Sequence, residues 1–256
     1  MDATIAAFPA GERAGDKARW FYVAMAAACV LIAFGGFTPT YWSKVATGRF
    51  GGSPVLHIHG LLFFAWTLFF LAQTTLVATG RTPLHRNWGL AGISLATAMV
   101  CAGLLAVLHM IESGRALGVA EARLRFAIVP LYTLVLFAVF FGLAIAKVQR
   151  PELHKRLVLM SMVPLMQPAM GRVFLTLFAP PGTIGPPPVF ASLPPALVVD
   201  GLVVAAMLFD WRTRGRPHRV YVICGAVLLA SQVLAIPVSA TPAWLAAARA
   251  FAALAG

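Results

Sequence analysis

The sequence predicts an all-α fold, a polytopic bundle of seven transmembrane helices, and three observations carry that prediction. The first is composition. Apolar residues make up 60% of the 256-residue chain and charged residues 11%, against roughly 45–50% and 25% in soluble domains. With a mean hydropathy of +0.85, there is too little polar surface to clothe a water-soluble particle. The second is seven apolar stretches near the length of about 20 residues that a helix needs to cross the hydrocarbon core. The third is tryptophan placement. Trp20, Trp42, Trp88, Trp211 and Trp244 fall at span ends, where indole favours the headgroup layer, and only Trp66 is mid-span.

Taken in order, span 1 covers 20–37. A charged tail precedes it (Glu12, Arg13, Asp16, Lys17, Arg19) with no small-residue cleavage site, so it reads as a retained helix and not a signal peptide. Spans 2 to 7 cover 55–78, 88–111, 126–147, 157–179, 193–210 and 220–238. Between spans 5 and 6 the stretch 179–191 holds Pro180, Pro181, Gly182, Gly185 and Pro186 to Pro188, a composition that favours a stiff, extended loop. Residues 242–254, with the single charge of Arg249, suit a short surface helix. The whole of 1–256 reads as a single transmembrane domain. Cys29, Cys101 and Cys224 stand alone in apolar runs, which offers neither a disulfide framework nor a metal knuckle.

The formal net charge of +12 is distributed as a topology signal. The N-terminal tail and the loops after spans 2, 4 and 6 hold thirteen basic residues, from Arg13 to Arg219, and the other side holds six. The positive-inside rule then places the N-terminus in the cytoplasm and the C-terminus outside, as in a bacterial inner membrane protein. The charge is thus a membrane address, and no aromatic-and-basic motif suggests a nucleic-acid partner.

Three of the basic-side turns repeat one plan. They read Arg81-Thr-Pro83-Leu-His85-Arg86, Arg150-Pro151-Glu-Leu-His154-Lys155-Arg156 and Arg216-Pro217-His218-Arg219. Proline suits a helix start and the basic residues set topology, but neither role requires histidine. His85, His154 and His218 therefore stand out as candidate ligands at one depth. On the opposite side His57, His59, His109 and Glu112 share a second depth, a donor set of the kind that binds zinc, copper or iron. Span 5 is interrupted by Pro164, Pro168 and Gly171 and carries Arg172, which at the helical rise lies at much the same depth as Asp200 of span 6. An ion at such depth calls for a partner, and each is the other's candidate.

At His59-Gly60-Leu61-Leu62 and Leu84-His85-Arg86-Asn87-Trp88-Gly89 the chain resembles the transmembrane ascorbate ferrireductase family of di-haem b cytochromes, over about spans 2 to 5. It also resembles bacterial seven-span proteins with the same His-Gly and Leu-His-Arg pattern. The ferrireductase family pairs histidines of alternate helices. The resemblance matches His85 and His154 to its third–fifth helix pair and His59 to one ligand of the other, whose partner is missing because span 4 has no histidine.

The leading functional expectation is a haem b electron-transfer protein with bis-histidine ligation by His85 and His154 near the cytoplasmic face. Arg86 and Arg156, with Arg81 and Arg150, would neutralise the propionates. His218 would replace a ligand or bind a propionate, and a quinone or another redox protein would be the partner. The second is a non-redox transporter or binding protein using Arg172 and Asp200, with no cofactor. The third is a metal-dependent membrane hydrolase built on His57, His59, His109 and Glu112, with a divalent metal.

Overall fold

The computed structural model describes residues 10–255, and side chains from 19 to 254; Arg13 and Lys17 of the predicted cytoplasmic tail lie outside those side chains. Among the described residues there is no strand, and seven helical segments are long and apolar enough to cross a membrane. They run Arg19–Ala46, Pro54–Ala78, Thr82–Ala116, Ala120–Ala146, Pro151–Phe178, Val189–Arg214 and Arg219–Val238, and are numbered spans 1 to 7 below. Each contains or overlaps its predicted stretch, and most continue past the apolar run. Spans 3 and 5 begin about six residues earlier than expected, at Thr82 and Pro151. The reason is physical: a helix does not stop where its side chains become polar, but where proline or glycine stops it. Span 1 passes through one π-helical stretch, Thr38–Trp42, before its last turn.

Span 5 is the hub. In its apolar window 61% of residues are buried, against 22–39% in the other six. Its two internal prolines, Pro164 and Pro168, withhold N–H donors from the carbonyls one turn earlier. That is tolerable where protein rather than lipid surrounds the backbone. Span 1 crosses it closely: a Cβ on Gly36 would meet the Ala169 carbonyl oxygen at 2.5 Å, so no larger residue fits there. Span 2 meets it through Trp66, 2% exposed, whose Nε1 donates to the Met162 sulfur at 3.1 Å. Phe137 and Phe141 of span 4 pack edge-on to the same indole at 5.4 and 5.1 Å.

The end elements close the bundle. Phe21 of span 1 stacks on Phe209 of span 6 at 3.9 Å, and the Tyr22 and Tyr221 hydroxyls share a 3.0 Å hydrogen bond between spans 1 and 7. After span 7 the chain forms the expected short helix, Pro242–Ala252. Thr241 caps its N-terminus, and Trp244 donates to the Leu124 carbonyl at the start of span 4. The turns with the repeated Pro-His plan define one end of the bundle, called the basic face below.

Candidate functional site at the basic face

The Pro-His turns place their histidines by helix register. Pro83 and Pro151 sit in the first turns of spans 3 and 5, so His85 and His154 lie just inside each helix. Their backbone N–H groups donate to Arg81 and Arg150. In the third turn the helix begins one residue after the histidine, and His218 is the cap itself, its Nδ1 accepting from the Val220 N–H at 3.2 Å. That difference of a few residues separates the three. The structure brings His85 and His154 together, with ring centroids 6.3 Å apart and planes at 75°, and leaves His218 beside Asp210, to which its backbone N–H donates at 3.2 Å. Of the three candidates, two therefore come together and the third stands apart.

Each ring of the pair is held from a neighbouring span. Gln73, buried near the end of span 2, donates through Nε2 to the His85 carbonyl at 3.3 Å. That bond orients the amide, so its Oε1 accepts from His85 Nδ1 at 3.0 Å. His154 Nδ1 lies 2.9 Å from the Ala144 carbonyl oxygen of span 4, which can only accept. Both rings thus carry their proton on Nδ1 when neutral, and both Nε2 lone pairs are left for a ligand. Metal-bound histidines are oriented in this way. At that centroid separation one metal ion could be shared by both rings. A shallow cleft of about 510 Å³, lined by Asn87, Trp88, Leu90, Ala91 and Ser94, follows along span 3.

The charges around this pair divide into free and committed groups. Arg81, Arg86 and Arg150 are exposed, with no ion pair among the described residues. Arg156 is not the free counter-charge it was expected to be. It is 2% exposed and engages Asp210, itself 1% exposed, through Nε at 2.9 Å and Nη2 at 2.6 Å. Its remaining Nη1 donates to the Glu152 carboxylate at 2.6 Å and the Glu152 carbonyl at 2.9 Å. Glu152 also pairs with Lys155 and Arg214, and the Tyr221 ring lies 5.7 Å below the guanidinium. The result is a buried ionic tie between spans 5 and 6, roofed by span 7. His218 is close enough to it that burial, then Arg156 and Arg214, push its imidazole below the ordinary histidine value of 6.5.

Two further expectations are corrected at the opposite face. Arg172 and Asp200 do not pair: Arg172 lies over the Phe37 ring at 4.8 Å, and Asp200 accepts from Gln232 Nε2 at 3.1 Å. Each meets a different neighbour, Arg172 on span 1 and Asp200 on span 7. Nor do His57, His59, His109 and Glu112 assemble, and no group of three metal-ligating side chains comes together among the described residues. His57 is hydrogen-bonded to the Tyr41 hydroxyl at 2.9 Å, and His59 packs on Phe63 at 4.2 Å. No protein-family model, curated protein or solved structure matches this chain.

Proposed function

We propose that the chain is an integral membrane electron-transfer protein in which His85 and His154 would hold a b-type haem. The observation that carries this reading is the ring pair, whose rings are neighbours and whose Nδ1 atoms are both tied to oxygen acceptors on neighbouring spans. When bound, the haem supplies one-electron chemistry. The chain does the rest. Gln73 and Ala144 hold each imidazole in the ligating tautomer, and the hydrogen bonds they accept make both Nε2 atoms more basic. Arg81, Arg86 and Arg150 bring uncommitted positive charge to the level where carboxylates would emerge. A quinone or another redox protein is the electron partner under this reading.

The basic face is cytoplasmic in this proposal. Even without Arg13 and Lys17, eleven basic residues stand on that side against six, so the positive-inside argument for a bacterial inner membrane keeps its sign. The test is the dithionite-reduced minus oxidised spectrum of protein expressed with ample haem. Sharp α and Soret bands are expected, abolished in His85→Ala and in His154→Ala and retained in His57→Ala. Folded, colourless and iron-free wild-type protein would refute the proposal.

A further inference from the structure

We infer that the shallow cleft on span 3 is a binding site for an anionic phospholipid, with the headgroup phosphate at Arg86 and Trp88 and one acyl chain in the cleft. The cleft, about 510 Å³, follows from the order of residues along the helix. Counted at about 100° per residue from His85, Leu90 and Trp88 stand near 140° and 300°. They project from the bundle, 72% and 54% exposed, and form two walls. Asn87, Ala91 and Ser94 fall between them, at about 180–240°, and are too short to fill the gap. The Ser94 hydroxyl folds back onto the Leu90 carbonyl at 3.2 Å, which leaves the lower floor apolar. His85 lies on the other side of the helix, against Gln73 and His154. The cleft therefore faces out of the bundle.

Depth selects a lipid as the occupant. All five lining residues are exposed, and the apolar run of span 3 begins at Trp88. Leu90, Ala91 and Ser94 therefore look onto hydrocarbon, where an extended peptide would leave its backbone groups unsatisfied and an acyl chain has none to satisfy. From Asn87 to Ser94 is seven residues, roughly 10 Å along the helix. The upper end is polar. Arg86 lies one turn before Leu90 and carries that wall toward the headgroups, while Asn87 and Trp88 add neutral N–H donors beside it. A guanidinium with an indole at the interface is the donor set that suits a lipid phosphate.

The sign of the headgroup follows from the charge of this face. Arg81 and Arg86 are exposed and form no ion pair among the described residues. The carboxylates described at this face, Glu152 and Asp210, are both taken up by the tie with Arg156. The mouth of the cleft is thus positive, and basic side chains at a membrane surface favour anionic lipid over zwitterionic lipid. Arg86, near 100° and so between His85 and Leu90, is the one group shared with the proposed haem site. The cleft itself is not shared, so filling it tests the lipid without touching the histidines or any charge.

The experiment titrates the full-length protein in maltoside detergent with phosphatidylglycerol, with phosphatidylcholine of the same chains and with inorganic phosphate. It reads the thermal unfolding midpoint and the lipids retained in native mass spectra. The wild type should be stabilised by phosphatidylglycerol at concentrations lower by about fivefold or more than phosphatidylcholine requires, and inorganic phosphate should do nothing. Ala91→Leu fills the cleft at an exposed position and should lose one retained lipid and the stabilisation, while lipid drawn to the other arginines stays. Arg86→Gln should still bind lipid but lose most of the preference for phosphatidylglycerol. Should Ala91→Leu fail to fold, Ser94→Leu makes the same comparison. Equal responses of the wild type to the two lipids, or cleft-filling variants that track the wild type, would overturn the inference. A dimer that these variants dissociate would assign the cleft to a second copy of the chain and overturn it as well.

Discussion

Replacing Asp210 by leucine isolates the energetics of the ionic tie at the basic face. The substitution removes both acceptors of Arg156 Nε and Nη2 and the acceptor of the His218 N–H. It leaves a guanidinium that is 2% exposed, and stripping one partner from a buried pair costs about 3–5 kcal/mol. Glu152 still receives Arg156 Nη1 and retains part of the charge compensation, so the expected loss lies near the lower end, about 3 kcal/mol. Asp210→Asn keeps the shape and one acceptor and should lose less. In Arg156→Leu/Asp210→Leu no orphaned charge remains, and the double variant should be more stable than the sum of the single losses predicts, by about 1–3 kcal/mol. Reversible unfolding in bicelles, with a folded-state signal from the aromatic belt, measures all four corners of this cycle. Additivity within about 0.5 kcal/mol would refute the reasoning.

Arg172→Leu and Asp200→Asn share no partner, so their effects on the same scale should add. Gly36→Ala should destabilise by about 1–3 kcal/mol because its Cβ meets the Ala169 backbone, whereas Gly171→Ala, with nothing within 4 Å, should be neutral or stabilising. Under the proposed haem assignment, Gln73→Leu should weaken retention of the cofactor and alter its spectrum while His57→Ala does neither. The cap at His218 requires an unprotonated Nδ1, and the folded-state pKa lies below 6.5, so the folded protein binds fewer protons than the unfolded chain. Its contribution, about 1 kcal/mol for a cap, is full above pH 6.5 and fades as pH falls through the folded value; His218→Ser should keep the cap and lose this pH dependence.

Hydropathy made the seven spans legible, and the Pro-His turns made the histidine pair legible, because both are local patterns along the chain. The charges were not. The predicted spans begin at 157 and end at 210, which left Arg156 in a turn and Asp210 as the last residue of its span. The helices run on, from Pro151 and to Arg214, so these two residues sit on helix faces that other spans cover. Conversely Arg172 and Asp200 lie deep in apolar sequence and invited pairing, but depth is one coordinate and angle around the helix is another. Gln73 had a legible signal, an amide close to the end of an apolar helix and level with a histidine turn, although nothing local named its partner. The Tyr132–Gln167 bond joins residues 35 apart and depends on how two helices rotate against each other.

The burial of span 5 has a consequence for biogenesis. Its apolar window is the least hydrophobic of the seven, and it carries Lys155, Arg156, Gln167, Arg172 and two internal prolines. As a lone segment leaving the ribosome it would partition into lipid reluctantly, since most of what it offers is satisfied only by neighbouring spans. Its two sides are served by different times in synthesis: spans 1, 2 and 4 exist before it emerges, while the carboxylate that receives Arg156 arrives with span 6. Stable insertion of the central helix is thus expected only once Asp210 is made, so that spans 5 and 6 should enter the bilayer in one event rather than two.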